Sequence, residues 1–286
     1  NPDRVLWPEM GVTKRDLAGY YRAVADRVLP GLRDRPLMLL RCPSGTADEC
    51  FYQKHAKASI PGAVPRVRIP EAEGPATYLY VNGLAALMGL VQIGALELHV
   101  WAARRDRLDR PDRLVFDLDP DAGLPFGRTA AAALALRALL DDLGLRSFPK
   151  LTGGKGLHVV APLVRRSGWD EARAFARAVA ARLEAEDPDG YTTESAKEKR
   201  EDRIFLDYLR NARNATGIAE YSPRARDGAP VAVPIPWTEV DPGADEPPRY
   251  SIADLPDRID AGDPWPGFAD VRQSITKEMR NALGLE

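Results

Sequence analysis

The segment from Arg113 to Pro120, RLVFDLDP, constrains the fold of this chain more than any other. Largely apolar residues lead into two aspartates two positions apart, and a proline ends the run. Because side chains alternate between the faces of a strand, a strand here puts Asp117 and Asp119 on one face. Neighbouring carboxylates raise each other's pKa unless a cation lies between them, and such oxygen ligands suit Mg²⁺ or Mn²⁺. The segment predicts a metal-binding strand end, with two solvated acids as the alternative.

The composition and charge of the chain limit the function classes open to it. With 286 residues, 44% apolar and 29% charged, it has the make-up of a soluble globular protein with one large domain or two packed lobes. The formal net charge of −2 excludes a global basic surface, so nucleic-acid binding would need local clusters. Such clusters are Arg33, Arg35 and Arg41; Lys54 and Lys57; Lys197, Lys199, Arg200 and Arg203; and Arg210 and Arg213. For any one cluster the alternative is a solvated face, which is the commoner outcome.

The two cysteines, Cys42 and Cys50, indicate a reducing compartment and no disulfide framework. A zinc site with His55 is an alternative, although the spacing fits no standard ligand pattern. No apolar run reaches the length of a membrane span and nothing resembles a signal peptide, so we expect a cytoplasmic protein. The chain starts at Asn1 without methionine, as a piece of a longer protein would.

Predicted helices and strands intermix without a regular βα period, which favours a mixed sheet over a doubly wound parallel one. The predicted helices span residues 13–29, 84–93, 129–143, 167–186 and 271–283. The predicted strands span 36–41, 76–81, 96–101, 113–120 and 203–208, and residues 150–164 form a turn followed by a strand. Residues 42–75 are predicted to be rich in loops, and residues 227–266 to be irregular.

The first predicted helix begins with a capping signal in which Thr13 is the N-cap and Asp16 the reciprocal acid. Lys14 then lies in the first turn, where the helix dipole disfavours a cation. An anion held at this helix end by Lys14 and Arg4 explains the placement, and a freely solvated lysine is the alternative.

A glycine-rich segment, TGGKGLH from Thr152 to His158, is the second strong signal. Its glycines let backbone N–H groups approach an anion, while Thr152 supplies a hydroxyl and Lys155 a point charge. The spacing of a Walker loop is absent. The segment predicts phosphate binding, with a glycine-rich hairpin turn that exposes a lysine as the alternative.

A third acid, Asp207, ends the apolar run RIFLD and can complete a cation site with Asp117 and Asp119. Three carboxylates that hold two divalent ions are the usual arrangement for nucleotidyl transfer. One ion activates the attacking 3′-hydroxyl, and the other steadies the leaving pyrophosphate.

Three further features are open to both functional and structural interpretations. The adjacent aromatics Phe51 and Tyr52 can stack on bases or form a core pair. His99 shares a predicted strand face with Glu97, and a single histidine on a strand is usually structural. Arg224 lies in a predicted turn, where it suits bidentate phosphate contact or a simple surface position.

The ordered segments ELHVW, FDLDP, TGGKGLHV and FLDYLRN together resemble the polymerase domain of bacterial ligase D. That family belongs to the archaeo-eukaryotic primase superfamily and serves non-homologous end joining. The likeness runs from residue 1 to about residue 237 in one consistent order. It implies an α/β fold (α+β, with a mixed sheet) in which an N-terminal α/β lobe packs on an RRM-like catalytic lobe. Both lobes would form a single primase-polymerase domain over residues 1–286.

The resemblance also implies roles for individual residues. It assigns catalysis and metal binding to Asp117, Asp119 and Asp207. It assigns nucleotide binding to His99, Thr152, Gly153, Lys155, His158, Arg200 and Arg224; the 5′-phosphate of downstream DNA to Asn1, Arg4 and Lys14; and the DNA template to Arg41, Phe51, Tyr52 and Lys54. The sequence departs from the family at Tyr52, where phenylalanine is commoner, and at Leu151, where threonine is commoner.

The activity that the resemblance implies is template-directed and terminal addition of nucleotides to DNA 3′ ends at gaps and double-strand breaks. Two Mn²⁺ (or Mg²⁺) ions would be the cofactors, and nucleoside triphosphates, often ribonucleotides, the substrates. The implied partners are DNA ends with a 5′-phosphate, Ku and an ATP-dependent DNA ligase domain. The implied location is the cytoplasm, at the bacterial nucleoid, without a membrane.

Three alternatives explain fewer residues. A haloacid-dehalogenase phosphatase would use Asp117 as nucleophile, but it requires threonine or valine where this chain has Asp121. A metal-dependent glycosyltransferase leaves Lys155 and Asp207 without a role. A non-catalytic nucleic-acid-binding module is disfavoured because carboxylates without a metal repel the phosphate backbone.

Overall fold

The structure is a computed structural model that describes residues 1–259 and 262–285. Its helices are α1 (Lys14–Ala23), α2 (Ala25–Leu32), α3 (Leu84–Gln92), α4 (Phe126–Asp142), α5 (Trp169–Glu186), α6 (Leu255–Ile259) and α7 (Lys277–Ala282). Its strands are β1 (Val5–Trp7), β2 (Val12–Thr13), β3 (Leu37–Arg41), β4 (Phe51–Gln53), β5 (Arg66–Ile69), β6 (Ala76–Leu79), β7 (Ala95–Val100), β8 (Arg113–Pro120), β9 (Phe148–Leu151), β10 (Leu157–Pro162), β11 (Tyr191–Thr192), β12 (Ile204–Asp207), β13 (Gly217–Ile218) and β14 (Val233–Pro234). Short 3₁₀ turns lie at Pro8–Met10, Lys197–Lys199, Leu209–Asn211, Trp237–Glu239 and Phe268–Asp270.

The chain forms two compact units, and each is built from separate stretches of sequence. The first consists of Asn1–Asp106, Thr216–Val233 and Arg249–Asp263. The second consists of Arg107–Ala215, Pro234–Pro248 and Pro264–Glu286. The expectation that residues 1–286 form a single domain of two packed lobes stays a prediction.

The first unit contains a four-stranded antiparallel sheet with the strand order β13-β7-β3-β4. Leu40 of β3 is paired with Glu97 of β7 on one side and with Tyr52 of β4 on the other. Paired residues share a face of an antiparallel sheet, so Tyr52, Leu40 and Glu97 form one row across three strands. The next row contains His99, which is paired with Met38.

Helix α1 begins as the sequence predicts, because Thr13 and Asp16 form a capping box in which each accepts the other's backbone N–H. The predicted continuous helix 13–29 is wrong, however, since the chain leaves helical geometry at Val24 and α2 starts at the next residue. Helix α1 packs against α3. The buried side chains include Trp7 and Tyr21.

The second unit contains a six-stranded sheet with the order β11-β12-β8-β10-β9-β14. Strands β12, β8, β10 and β9 are antiparallel neighbours, whereas β11 pairs with β12 in parallel. The mixed sheet and the mixed α/β fold expected from the sequence are therefore confirmed. Helices α4 and α5 pack against each other and against β8.

Strand β8 is buried along its apolar half. Phe116 and Leu118 are at most 1% exposed, and they alternate with Asp117 and Asp119. Because successive side chains point to opposite faces, the sheet buries its apolar residues on one side and presents the two acids on the other. The sequence pattern of the segment thus fixes which face carries the chemistry.

Two expectations from the sequence are overturned. Cys42 and Cys50 form a disulfide with their Cα atoms 4.4 Å apart, so the expectation of reduced cysteines and the zinc alternative with His55 are wrong. The stretch predicted to be rich in loops contains β4 and β5, because pairing with β3 and β6 stabilises strands whose sequences alone are too short to signal them. The stretch expected to be irregular, 227–266, includes residues 260 and 261, which lie outside the described residues.

Among the described residues, none of the helices combines the length and the apolar character needed to cross a lipid bilayer.

Candidate active site

The second unit brings polar side chains into one row across four strands. Asp207 of β12 pairs with Asp117 of β8, Asp117 pairs with His158 of β10, and His158 pairs with Lys150 of β9. Directly paired residues lie on one face, so two acids, a histidine and a lysine form a continuous polar row. Asp119 lies two residues further along β8, on the same face. The structure thus places the three predicted acids on one face of the sheet, with Asp207 directly opposite Asp117.

Two arginines neutralise these acids. Arg210 lies 3.1 Å from Oδ2 of Asp117 and 3.1 Å from Oδ2 of Asp207. Arg200 lies 3.1 Å from Oδ2 of Asp119, donates to the carbonyl of Ser195, and stacks its guanidinium 4.1 Å from the centre of the Phe205 ring. Each acid therefore has an arginine partner within hydrogen-bonding distance.

The three acids differ in how strongly they are held in the charged form. Burial alone would raise the pKa of Asp117, but His158 and Arg210 outweigh it and hold that pKa well below the usual range. Burial raises the pKa of Asp119, and repulsion from Asp117 adds to the rise. Burial also raises the pKa of Asp207, and Arg210 offsets this only in part. Asp117 is therefore held in the charged form more strongly than Asp119 or Asp207.

His158 is buried, and its Nε2 lies 3.4 Å from Oδ1 of Asp117. Burial lowers the pKa of this imidazole, and Lys150 adds to the effect, while Asp117 opposes it. Within the part of the chain that the structure describes, its Nδ1 has no hydrogen-bond partner. A neutral ring with a buried open nitrogen is unusual and marks a polar site.

The donor chemistry fits a hard divalent cation, because all three acids offer carboxylate oxygens on one sheet face. In residues 1–259 and 262–285, no three or more His, Cys, Asp or Glu side chains converge closely enough to hold a metal ion. Arg210 and Arg200 form ion pairs with the three acids in this structure. A cation would take over the charge balance that the arginines now supply.

The predicted glycine turn joins β9 to β10 beside these acids. The Thr152 hydroxyl donates to the carbonyl of Gly156 at 2.9 Å and closes the turn. Gly153 has φ +72°, a left-handed conformation that favours glycine. A Cβ at Gly156 would lie 2.9 Å from the carbonyl oxygen of Leu118, so only glycine lets the turn approach β8 this closely.

Lys155 is exposed, and its Nζ donates to the carbonyl of Ala122 in the loop after β8. It lines a small recess together with Pro120, Phe126 and Glu246. Pro120 directly follows Asp119 in the chain, so the lysine-bearing turn and the acid pair adjoin within the same unit. Contacts within the chain account for the conformation of the turn, and its role in phosphate binding stays a prediction.

A second polar cluster lies in the first unit, on β7 and the turn after β13. His99 Nε2 lies 2.9 Å from Oε2 of Glu97, and Arg224 Nε lies 3.1 Å from Oε1 of the same carboxylate. The predicted nucleotide-binding residues His99 and Arg224 are therefore joined through one buried acid. The sequence places Glu97 beside His99 on one strand face but assigns the acid no role.

The predicted template residues lie on the edge strand β4 and its neighbour. Tyr52 is 61% exposed and its ring centre lies 6.0 Å from that of His99. Phe51 is 37% exposed and pairs with Arg41, whose guanidinium lies 5.3 Å from the ring centre. The two aromatics thus point to opposite faces of the strand. Lys54 is tied to Glu71 by an ion pair of 2.8 Å.

Three cations in the first unit crowd together. Lys14 donates to the carbonyl of Gln92 at 2.8 Å, and Arg41 donates to the adjacent carbonyl of Ile93 at 2.8 Å. Burial lowers the pKa of Lys14, and repulsion from Arg4 and Arg41 lowers it further. A set of cations that destabilise one another is a suitable environment for an anion.

The remaining predicted phosphate residue, Asn1, makes a local contact. Its side-chain oxygen accepts from the backbone N–H of Asp3 at 3.0 Å. Arg4 donates to the carbonyl of Pro43 at 2.7 Å. The structure therefore groups Arg4 and Lys14 with Arg41, whereas the role of Asn1 rests on the resemblance alone.

Two basic residues close to the acids, Arg210 and Lys150, are given no individual role by the sequence. Arg210 lies in the 3₁₀ turn that follows β12, three residues after Asp207, and forms an ion pair of 3.1 Å with it. The basic cluster of Arg210 and Arg213 close after Asp207 is the sequence signal for this contact. Lys150 gave none, because its place beside His158 depends on the β9–β10 register.

Comparisons with known proteins agree on one family. The family model described as "LigD, primase-polymerase domain" matches residues 13–265. The chain is 43% identical over 290 residues to the multifunctional non-homologous end joining protein LigD of Pseudomonas aeruginosa, covering 99% of this chain and 34% of that protein. It is 32% identical over 259 residues to the bifunctional non-homologous end joining protein LigD of Bacillus subtilis, covering 90% of this chain and 41% of that protein.

A solved structure shows the same fold. The polymerase domain from Mycobacterium tuberculosis ligase D, in complex with DNA, matches with a TM-score of 0.87 and 33% identity. The match covers 95% of this chain and 97% of that chain. This chain spans about a third to two fifths of the length of the curated relatives it matches. The sequence likeness, the family match and the shared fold lead to one conclusion: the chain belongs to the LigD primase-polymerase domain family.

Proposed function

We propose that this chain is a DNA-end polymerase that adds nucleotides to DNA 3′ ends at gaps and double-strand breaks during non-homologous end joining. The family to which it belongs consists of nucleotidyltransferases that need metal ions. The observation that carries the proposal is the pairing of Asp207 with Asp117 on adjacent strands, with Asp119 on the same face. Residues far apart in sequence thereby present three carboxylates on one sheet face, which supports a site for the divalent ions used in nucleotidyl transfer.

The three acids are proposed to hold two divalent ions, Mn²⁺ by preference. When bound, such ions lower the pKa of the attacking 3′-hydroxyl and steady the leaving pyrophosphate. The chain's own contribution is to fix the acids in register and to keep Asp117 charged through Arg210 and His158. A carboxylate that stays ionised at neutral pH is ready to accept a cation.

The turn between β9 and β10 is proposed to bind the triphosphate of the incoming nucleotide. Gly153 and Gly156 supply a backbone free of side chains, Thr152 a hydroxyl, and Lys155 a positive charge. Arg200 is proposed to contact the same nucleotide, since its guanidinium is already held beside Asp119 by the Phe205 ring. His99 and Arg224 of the first unit are also proposed as nucleotide-binding residues.

DNA is proposed to be the polynucleotide substrate, as it is the ligand in the solved polymerase domain of the mycobacterial protein. The cation group of Arg4, Lys14 and Arg41 supports a site for a 5′-phosphate at the downstream side of a gap, with Asn1 as a further proposed contact. The exposed rings of Phe51 and Tyr52 support stacking on template bases, with Lys54 beside them. Ku and an ATP-dependent DNA ligase domain are proposed as protein partners.

The proposal is tested by extension of a primer on a template with a 5′-phosphorylated gap, in Mn²⁺ and labelled ribonucleotides. Extension by one or a few nucleotides, lost in the Asp119→Ala variant, supports it. The absence of extension, together with hydrolysis of p-nitrophenyl phosphate, would instead favour a phosphatase. A parallel reaction with deoxynucleotides measures the sugar preference.

A further inference from the structure

Glu97 is a buried acid whose position no part of the chemistry above explains. Its residue surface is 2% exposed, and burial of a carboxylate costs free energy unless charged or donor groups surround it. The other side chains of β7 are mostly apolar, so a carboxylate at this position costs free energy of folding. The groups that contact Glu97 therefore determine whether its burial is tolerated.

The two carboxylate oxygens of Glu97 have separate partners. Oε2 lies 2.9 Å from Nε2 of His99, two residues along β7. Oε1 lies 3.1 Å from Nε of Arg224 and accepts the backbone N–H of Ala225 at 3.0 Å. One side chain thus joins a strand histidine to a turn arginine that is more than 120 residues away in the sequence.

The charge of Glu97 is secure over the whole neutral range. Burial alone would raise its pKa, but His99, Arg224 and the Ala225 N–H together lower it to about 2. The geometry is also fixed by the backbone, because the N–H of Leu98 donates to the Ser222 hydroxyl at 2.9 Å. Strand β7 and the turn that carries Arg224 are thereby held in register on both sides of the acid.

We infer that Glu97 is a positioning residue that holds the His99 ring and the Arg224 guanidinium in the orientation in which they bind the phosphates of a nucleoside triphosphate. A carboxylate engaging Nε2 fixes the plane of the imidazole and turns Nδ1 away from the acid. The ion pair of Oε1 with Arg224, together with the hydrogen bond that Oε1 accepts from the Ala225 N–H, holds the guanidinium next to the carboxylate. This inference rests on the proposed role of His99 and Arg224 in the function above.

A purely structural role is the competing explanation, in which Glu97 only joins the turn to the strand. The two roles predict different effects when the carboxylate is replaced by a neutral side chain of the same shape. Glu97→Gln keeps the side-chain shape and an acceptor for the Ala225 N–H but removes the charge shared by His99 and Arg224. A structural role predicts reduced stability with unchanged nucleotide affinity, whereas positioning predicts weaker affinity in a protein that is still folded.

The test uses the full chain and two readouts. The Kd of a fluorescent ATP analogue is measured in Mn²⁺ without DNA, and KM and kcat are measured in the gap-extension reaction. For Glu97→Gln we expect Kd and KM to rise about tenfold while kcat changes less than about twofold, since the lost contacts act equally on ground and transition states. Glu97→Asp, which keeps the charge, should recover part of the affinity.

The matched control is Glu220→Gln. Glu220 is another buried acid of the same unit, and it faces Gly31 instead of the histidine. Its variant should bind the nucleotide as the wild type does, with circular dichroism and Tm reporting the fold of both proteins. An equal loss of affinity in both glutamine variants would overturn the inference.

A double-variant cycle shows whether Glu97 acts through its partners. In a His99→Ala, Arg224→Ala background, Glu97→Gln should add less than about a twofold change in Kd. The full tenfold effect in that background would overturn the inference, as would wild-type affinity in Glu97→Gln itself. Wild-type affinity in the His99→Ala, Arg224→Ala protein would overturn both the inference and the proposed phosphate role of these two residues. If the wild type fails to extend a primer, that result counts against the proposed polymerase function and not against this inference, because the nucleotide Kd is measured without DNA.

Discussion

Asp207 lies directly opposite Asp117 in the antiparallel register of β12 and β8. A shift of one residue in this register would turn Asp207 to the buried face, because side chains alternate along a strand. The proposed metal site therefore depends on the β12–β8 register.

Replacement of Asp207 by asparagine should abolish nucleotide addition and leave DNA binding intact. The amide keeps the strand shape and the acceptor for the Leu209 N–H, which lies 2.8 Å away, but it removes a metal-binding charge. We expect a fall of about 10²–10³-fold in kcat, measured by gap extension in Mn²⁺. Glu201→Gln, an exposed acid of the same unit, is the control and should be fully active. Equal loss of DNA binding in Asp207→Asn would show that the acid has a different role.

Asp119→Asn should stabilise the metal-free protein at neutral pH. The pKa of Asp119 is raised in the folded state, so its ionised form costs stability once the pH exceeds the unfolded value of 3.8. That cost appears as the pH rises from below 3.8 through the raised folded pKa, and it is absent when both states are protonated. We therefore expect a higher Tm than the wild type at pH 7, in chelator, and similar values at pH 3. A lower Tm at pH 7 would contradict the raised pKa.

Arg210→Gln should destabilise the metal-free protein and make its stability depend more strongly on divalent ions. The variant leaves Asp117 and Asp207 without their shared cation. Because Arg210 is partly exposed, we expect a loss of about 1–2 kcal/mol, below the cost of breaking a fully buried pair. Denaturant unfolding with and without Mn²⁺ measures it. The idea fails if Mn²⁺ stabilises the variant no more than the wild type.

Lys14→Ala should weaken the preference for a 5′-phosphate over a 5′-hydroxyl at the downstream end of a gap. Removal of one of three crowded cations lowers the local positive potential, and we expect about a tenfold loss of discrimination in binding competition. Arg15→Ala is the matched control, since Arg15 is adjacent in the chain but paired with Asp3 at 2.7 Å. An unchanged preference in Lys14→Ala would remove the phosphate assignment.

The disulfide should contribute to stability under oxidising conditions only. It closes a loop with a sequence separation of 8 residues, for which chain-entropy arguments give about 2–3 kcal/mol. We expect Cys50→Ser to unfold at lower denaturant concentration than the wild type without reductant, and at the same concentration in dithiothreitol. A difference that persists in reductant would point to packing of the cysteine and not to the bond.

The sequence predicted strand β8 and its two aligned acids because the pattern of this segment is local. Four apolar residues, two alternating acids and a proline determine the strand, its buried face and its end without reference to other parts of the chain. The same holds for the capping box at Thr13 and for the glycine turn, whose conformations require particular residue types. These features are all confirmed as structure, although their ligands stay predictions.

Features that depend on long-range pairing were not predictable in the same way. The place of Lys150 beside His158 follows from strand register, and the disulfide follows from the approach of Cys42 and Cys50 across the β3–β4 connection. Composition suggested reduced thiols because it carries no information about distance. The contact of Glu97 with Arg224 likewise joins segments that no local pattern connects.

The opposite orientation of Phe51 and Tyr52 has a geometric consequence for any polynucleotide that touches both. Rings on the two faces of an edge strand cannot form one continuous platform, so a strand of bases in contact with both must wrap across the rim of the sheet. Recognition would then require a bend in the bound polynucleotide, and a straight duplex could contact only one of the two rings at a time.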